Sequence, residues 1–319
     1  KGLACMFTMM NAARLGVGIQ GLGLIETSFQ NSLSYARDRL QMRALSGAKA
    51  PEKVADPIIV HPDVRRMLLT QKAFAEGGRM LVLYTAKMLD IADHVEAGDE
   101  KQRAETLLGL LTPIVKAFLT EVAFECTNEG VQVFGGHGFI KEWGMEQLVR
   151  DARITRLYEG TTGIQALDLL GRKVLMSQGE SLKVLTKEIH VFCKSEADNP
   201  LLKEFVEPLA ELNAEWGKLT MQVGMKAMQD RDEVGAASVD YLMYAGYVSM
   251  AYMFALAAKQ AIAPEKNNAY AFYTAKLDTA RFYYQRILPR TRGHAAMVQA
   301  GAASLMAISS ENMGLGFEI

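Results

Sequence analysis

Apolar residues recur every three or four positions along most of the chain, the period of a helix with one buried face. Residues 8–43 form the first such stretch, and Ser46-Gly47 and Pro51 break it. Residues 47–61, GAKAPEKVADPIIVH, read as a loop carrying two prolines. His61-Pro62-Asp63 then opens a second helix, with Pro62 in the first turn, where its missing N–H costs nothing. That helix runs to about Ala97 and stops at Gly98. A third is expected over 99–134, begun by Asp99 and Glu100 and ended by Gly135-Gly136, with Pro113 inside it as a possible kink. Shorter helices are expected over 143–153 and 161–178. After Gly179 a second cycle gives helices over 180–196, 200–229, 232–262 and 268–308, bounded by Pro200, Asp232 and a loop at 264–268. No segment alternates with a period of two. VQVF at 131–134 is the nearest, and it lies at a helix end. The pattern predicts an all-α protein of two tandem helical bundles, residues 1–178 and 179–319, without a sheet of three or more strands.

Residues 241–258, YLMYAGYVSMAYMFALAA, carry no charge, which is the length at which a membrane span becomes a candidate. No second such candidate span is found. Four tyrosines, a glycine and a serine within it, and Asp240 and Lys259 at its edges, favour a helix in the middle of a bundle or at a subunit interface.

Composition narrows the picture. The 319 residues are 50% apolar and 22% charged with a net charge of −1, which excludes a disordered chain and any global field for nucleic acid or anionic lipid. Cys5, Cys126 and Cys193 are far apart, so they form neither a disulfide framework nor a CxxC metal site, and they fit a reducing compartment. No metal is expected. The chain opens KGLACMFTMMNAARLGVGIQGLG, already inside an apolar helical run and without an initiator Met. Residue 1 is expected to be a cut inside a longer protein.

The chemistry concentrates in residues 128–165. Gly135-Gly136-His137-Gly138 lies between two helices, where exposed N–H groups let a ligand approach the main chain, or where the glycines simply connect the helices. It is not GxGxxG after a strand, so a Rossmann reading fails. Glu159 sits in Tyr-Glu-Gly-Thr-Thr between helices. A carboxylate in a partly apolar loop can act as a base near neutrality, or it can be a solvated residue favoured at a helix start. Arg150, Arg153 and Arg156 repeat every three positions, as a solvated helix face does.

Three motifs in fixed order change the weighting. Gln132, Gly135, Gly136, Gly138 and Phe139 match Gln-x-x-Gly-Gly-x-Gly-[Phe/Tyr]; Arg150-Asp151-Ala152-Arg153 follows; Leu157-Tyr158-Glu159-Gly160-Thr161 completes the set. Upstream, Tyr35-Ala36-Arg37-Asp38-Arg39 matches Tyr-Ala-x-x-Arg. This ordered set resembles the C-terminal helical domain of the acyl-CoA dehydrogenases over residues 5–175. Residues 180–319 resemble the extra helical domain of a long bacterial subfamily, that of 3-methylmercaptopropionyl-CoA dehydrogenase. A cytoplasmic bacterial enzyme is the corresponding expectation.

The resemblance implies FAD-dependent α,β-dehydrogenation of an acyl-CoA to the trans-2-enoyl-CoA, with an electron-transferring flavoprotein as acceptor. Glu159 would remove the α-proton. Its backbone N–H, with a ribityl hydroxyl of FAD, would polarise the thioester carbonyl. Relatives that carry the base on the first long helix do so just before the arginine matched by Arg14. Ala13 stands there and cannot serve. Arg39, Gln132, Gly135 and Gly136 would contact the diphosphate end of FAD across a homodimer, and Thr161 would bond the flavin in the subunit of Glu159. Arg14, Tyr158 and Gly160 would border the substrate. Departures from the pattern are Met42-Arg43 in place of Phe-Gly, and Gly163 in place of a polar residue. The family's N-terminal helical and middle β domains have no counterpart in the chain, so the chain alone is expected to be inactive.

Two other readings remain open. An acyl-CoA oxidase would pass its electrons to O₂ instead. A non-catalytic, DNA-binding homologue would need a basic C-terminal unit, but residues 180–319 hold 14 Lys and Arg against 16 Asp and Glu. No nucleic-acid or membrane partner is expected.

Overall fold

The computed structural model describes residues 2–262 and 270–314. Among them there is no β-strand, only one isolated antiparallel bridge between Leu40 and Pro57. Three long helices, α1 (Gly2–Asp38), α2 (Pro62–His94) and α3 (Asp99–Phe134), pack on one another. Three short ones follow: α4 (Gly136–Phe139), α5 (Met145–Thr155) and α6 (Thr162–Leu167). The last runs into a π-helical segment, Asp168–Leu175. The second unit contains α7 (Glu180–Ser195), α8 (Lys203–Ala227), α9 (Asp232–Ala261), α10 (Tyr270–Phe282), α11 (Thr291–Ala300) and α12 (Ala303–Met306).

The first helix ends at Asp38, five residues before the expected 43, and its cause lies far along the chain. Asp56 is fully enclosed. Its carboxylate accepts the backbone N–H of Ala44 at 2.9 Å, Lys49 at 2.9 Å and Ala50 at 2.7 Å, and Arg43 donates to it at 3.2 Å. Those bonds wind residues 39–57 around one side chain, with Met42 at φ +60. The backbone donors, Ala44 first, hold the Asp56 carboxyl down at about 2 from an ordinary 3.8. A carboxyl lowered on folding stabilises fully above its unfolded value and loses that contribution as pH falls toward the folded one. Amide exchange at Ala44, Lys49 and Ala50 is therefore expected to stay slow at pH 5. Relative to the intrinsic rate at each pH, that protection should be lost between about pH 4 and 2, and be weaker at pH 5 in Asp56→Asn.

The expected helix over 268–308 is broken. It divides into α10, a π segment at Tyr283–Ile287, a 3₁₀ turn at Leu288–Arg290, and α11. Pro289 cannot continue the α ladder, and Gly301 at φ +77 ends α11 before α12. The boundary expected at 264–268 lies outside the described residues, as does the side chain of Cys5.

Residues 241–258 lie inside α9, and 83% of its most apolar window is buried in the fold. α3 also qualifies by length and composition as a span, contrary to the expectation of one such segment, and 78% of its window is buried. These helices form the seam between the two units. α9 packs against both α2 and α3. The fully buried Phe118 of α3 meets Tyr247 of α9 edge-on at 4.9 Å and Phe74 of α2 at 6.2 Å. Gly246 lets the ring in, because a Cβ there would lie 2.3 Å from Phe118. Polar ties reinforce the seam. Arg290 donates two bonds to Glu125, at 2.7 and 2.8 Å, and Glu188 accepts from Tyr84 at 2.6 Å and Tyr252 at 3.2 Å. One hydrophobic core runs continuously through both units.

Candidate active site

Glu159 stands in the loop between α5 and α6. It is half-buried, at φ +56, the left-handed region that side chains seldom occupy. Gly160 follows at φ +91, so two consecutive left-handed residues turn the chain sharply. A Cβ on Gly160 would lie 2.4 Å from Gln165 Nε2. That amide donates to the Glu159 carbonyl at 3.2 Å. The Glu159 carboxylate itself has no hydrogen-bond or ion-pair partner among the described residues.

Both sides of the loop are tied to α3. Glu121 accepts from Arg156 at 2.6 Å, before Glu159, and from Thr162 at 2.5 Å, after it. Arg156 therefore leaves the solvated row expected of it, whereas Arg150 and Arg153 stay exposed. Lys116 of α3 is fully buried and donates to the carbonyls of Thr155 at 2.9 Å and Gly160 at 2.7 Å. Burial pulls its pKa down from 10.5 to about 8, against the charges of Glu121 and Glu159 and with that of Arg14. Lys116 was not legible as a site residue. The one local signal is a lone charge within LLTPIVKAFL at 110–119, where an amphipathic helix would show apolar residues.

The remaining expected residues fall into two places. Near Glu159, the Tyr158 hydroxyl donates to Gln20 of α1. Thr161 caps α6 by accepting the Ile164 N–H at 3.3 Å. Arg14 is buried beside Asp168 at 3.6 Å, and Asp168 also binds Arg172 at 2.8 Å. Arg39, Gln132, Gly135 and Gly136 meet elsewhere, around a cavity of about 570 Å³ between the ends of α1 and α3. The exposed Arg39 guanidinium has no partner among the described residues. Gly135 turns at φ +60, and a Cβ on it or on Gly136 would project into open space. Tyr35 and His137 wall this cavity; His137 bonds Tyr35 at 2.9 Å and stacks on Trp143 behind it at 4.8 Å. From Lys116 to Gln132, α3 advances roughly 24 Å at about 1.5 Å per residue, so the two places are distinct on one chain.

An unpartnered carboxylate on a braced loop suits proton abstraction. A cavity with an unpaired guanidinium and bare glycine backbone suits a phosphate-bearing ligand.

The chain is similar to known proteins in sequence and in fold. Residues 1–175 match the family described as acyl-CoA dehydrogenase, C-terminal domain, and residues 185–309 match acetyl-CoA dehydrogenase C-terminal like. A 3-methylmercaptopropionyl-CoA dehydrogenase of Ruegeria pomeroyi is 40% identical over 315 residues, covering 96% of this chain and 52% of that protein. The broad-specificity linear acyl-CoA dehydrogenase FadE5 of Mycobacterium tuberculosis is 35% identical, over 91% of this chain and 49% of its own length. In fold, the chain resembles Caenorhabditis elegans ACDH-11, solved in complex with C11-CoA (TM-score 0.74, 20% identity, 97% of this chain and 49% of that one). It also resembles an acyl-CoA dehydrogenase of Bacillus anthracis solved with FAD (TM-score 0.71, 21% identity, 97% and 50%). The chain spans about half the length of the curated relatives it matches. With its motifs in order on an all-helical scaffold and a family match over residues 1–175, the chain belongs to the acyl-CoA dehydrogenase family.

Proposed function

We propose that this chain supplies the base and part of the cofactor site of an FAD-dependent acyl-CoA dehydrogenase. The observation that carries the reading is the half-buried Glu159 carboxylate, held at a left-handed turn with no partner to occupy it. An α-proton of a thioester is a weak acid, and it becomes removable when the carbonyl oxygen receives donors as charge develops there. The backbone N–H of Glu159 is one such donor in this reading. Glu159 takes the α-proton, and the trans-2-enoyl-CoA forms as the β-hydrogen leaves with its electron pair. FAD, when bound, is the acceptor for that pair, with an electron-transferring flavoprotein as the onward partner.

The residues present fit FAD in two parts. Arg39 and the Gln132–Gly136 backbone would hold its diphosphate end, where the cavity leaves main chain and guanidinium open. Thr161, its hydroxyl hydrogen still available while its oxygen caps α6, would bond the flavin beside Glu159. Because these places are far apart on one chain, the first set would serve the cofactor of a neighbouring subunit. A closed two-fold dimer lends each subunit the same patch. The second unit covers apolar faces of α2 and α3 with α9, leaving no need for a further pair of subunits there. Light scattering at micromolar concentration is expected to give a dimer; a monomer or a tetramer would contradict the shared site or the role given to α9.

The functional test joins this chain to the other half of its relatives' length and mixes the flavin-loaded protein with acyl-CoAs of graded chain length, without oxygen. Bleaching of the flavin by one chain-length class is the expected result and names the substrate. No bleaching by any acyl-CoA would refute the reading. Rapid reoxidation on admitting O₂ would mark an oxidase.

A further inference from the structure

We propose that Lys116 is the positioning residue of the Glu159 loop: its buried ammonium clamps the carbonyls of Thr155 and Gly160 and thereby fixes the direction of the Glu159 carboxylate. The inference rests on Glu159 being the base and adds what holds that base in place.

A lysine is rarely enclosed, because removing an ammonium from water is costly unless its protons find acceptors. Lys116 is fully buried, and no carboxylate receives its Nζ. Its acceptors are both main-chain carbonyls, and they bracket Glu159 in sequence. Thr155 O belongs to the last turn of α5, whose final carbonyls lack helical partners and attract a cation. Gly160 O belongs to the second of the two left-handed residues, at φ +91. Two consecutive residues in that region do not persist unless the surroundings impose them. Lys116 provides that constraint from α3, an element anchored in the shared core.

The charges around Nζ are accounted for. Arg14 comes from α1, Glu121 from α3 itself, and Glu159 from the loop. Asp168 of the π segment partners Arg14, and Arg156 of the loop partners Glu121. Among the described residues, Arg14, Glu121 and Glu159 are the charged groups that act on the ammonium. Charge-assisted bonds are roughly twice as strong as neutral ones, so losing the proton weakens both clamps at once.

This predicts an alkaline limb. Burial lowers Lys116 to about 8, so the clamp weakens as pH rises through that value. Global stability moves the other way. Between about 8 and 10.5 the unfolded chain binds the proton that the folded chain has released, so this group adds stability as pH rises. A merely structural lysine would not couple reaction rate to that titration.

The test compares Lys116→Met, which keeps the length and apolar stem without a donor, with Lys116→Arg, which keeps the charge. Amide exchange of residues 156–161 is measured in this chain, relative to α9. Flavin reduction is measured in the flavin-loaded protein of full relatives' length. In Lys116→Met, loop exchange is expected to quicken at least tenfold while α9 is unchanged. Its kcat should fall about 10²-fold, the effect of a misplacement of about 1 Å, with KM little altered. Lys116→Arg is expected to restore slow loop exchange and remove the decline above pH 8. Wild-type loop exchange and unchanged kcat in Lys116→Met overturn the proposal and leave Glu159 intact. Should Glu159→Gln retain full rate, the base assignment fails, while loop exchange still decides whether Lys116 orders the loop. Should Lys116→Met not fold, the wild-type pH series decides: loop exchange that does not rise relative to α9 through pH 8 overturns the proposal.

Discussion

Replacing Glu159 by Gln is expected to lower the rate of flavin reduction by acyl-CoA by on the order of 10²–10⁴-fold or more, while FAD and acyl-CoA still bind. Gln has nearly the same shape and the same carbonyl acceptor, so the turn at φ +56 and the bond from Gln165 to the main-chain carbonyl both survive. Only the ability to take a proton is lost. Because the carboxylate makes no bond to other described side chains, the substitution should leave unfolding temperature nearly unchanged. Stopped-flow absorbance of the flavin checks the rate, and retention of the flavin spectrum checks binding. A variant reduced at the wild-type rate would place the base on another residue.

The largest effect on stability is expected at Phe118. Truncation to Ala removes a fully buried ring that touches α2 and α9, and faces Gly246 across the seam. Phe→Ala in a packed core costs about 3–5 kcal/mol. The neighbours cannot simply close the gap, because Gly246 has no side chain to move into it and Tyr283 already bonds the Tyr247 carbonyl at 2.8 Å. Since one core serves both units, calorimetry is expected to show one transition that shifts as a whole. Two separated transitions, with only the first unit destabilised, would contradict the shared core.

Helix positions were largely legible because the apolar period is a local property. The bounds of α3 at Asp99 and Phe134, and the start of α9 at Asp232, follow from charged first residues and flanking glycine or turn residues. What was illegible depends on distant partners. The early end of α1 requires Asp56, eighteen positions on, to gather the N–H groups of Ala44, Lys49 and Ala50. The period across 268–308 conceals the break because a π segment and a 3₁₀ turn keep apolar residues inward around Pro289. Tandem bundles are visible as two cycles of helices, but their merging at Phe118 and Gly246 is not, since neither residue carries a local mark of its partner.

The site divides in the same way. Glu159 and the glycines at 135, 136 and 160 were legible as motifs with turn chemistry. Thr161 was legible as a motif position, but its role as the cap of α6 was not. The supports were not legible. Lys116, Glu121 and Gln165 act through contacts 35–44 positions distant, or through a main-chain carbonyl. Arg14 matched a motif position, yet its buried pairing with Asp168 could only be seen in three dimensions.

The most direct test is a crystal structure of this chain joined to the other half of its relatives' length, with FAD and an acyl-CoA bound. The expected result is a Glu159 carboxylate oxygen within about 3–3.5 Å of the substrate α-carbon, with Arg39 of the adjoining subunit on the cofactor diphosphate. A Glu159 turned away from the α-carbon, with another carboxylate in its place, would contradict the account.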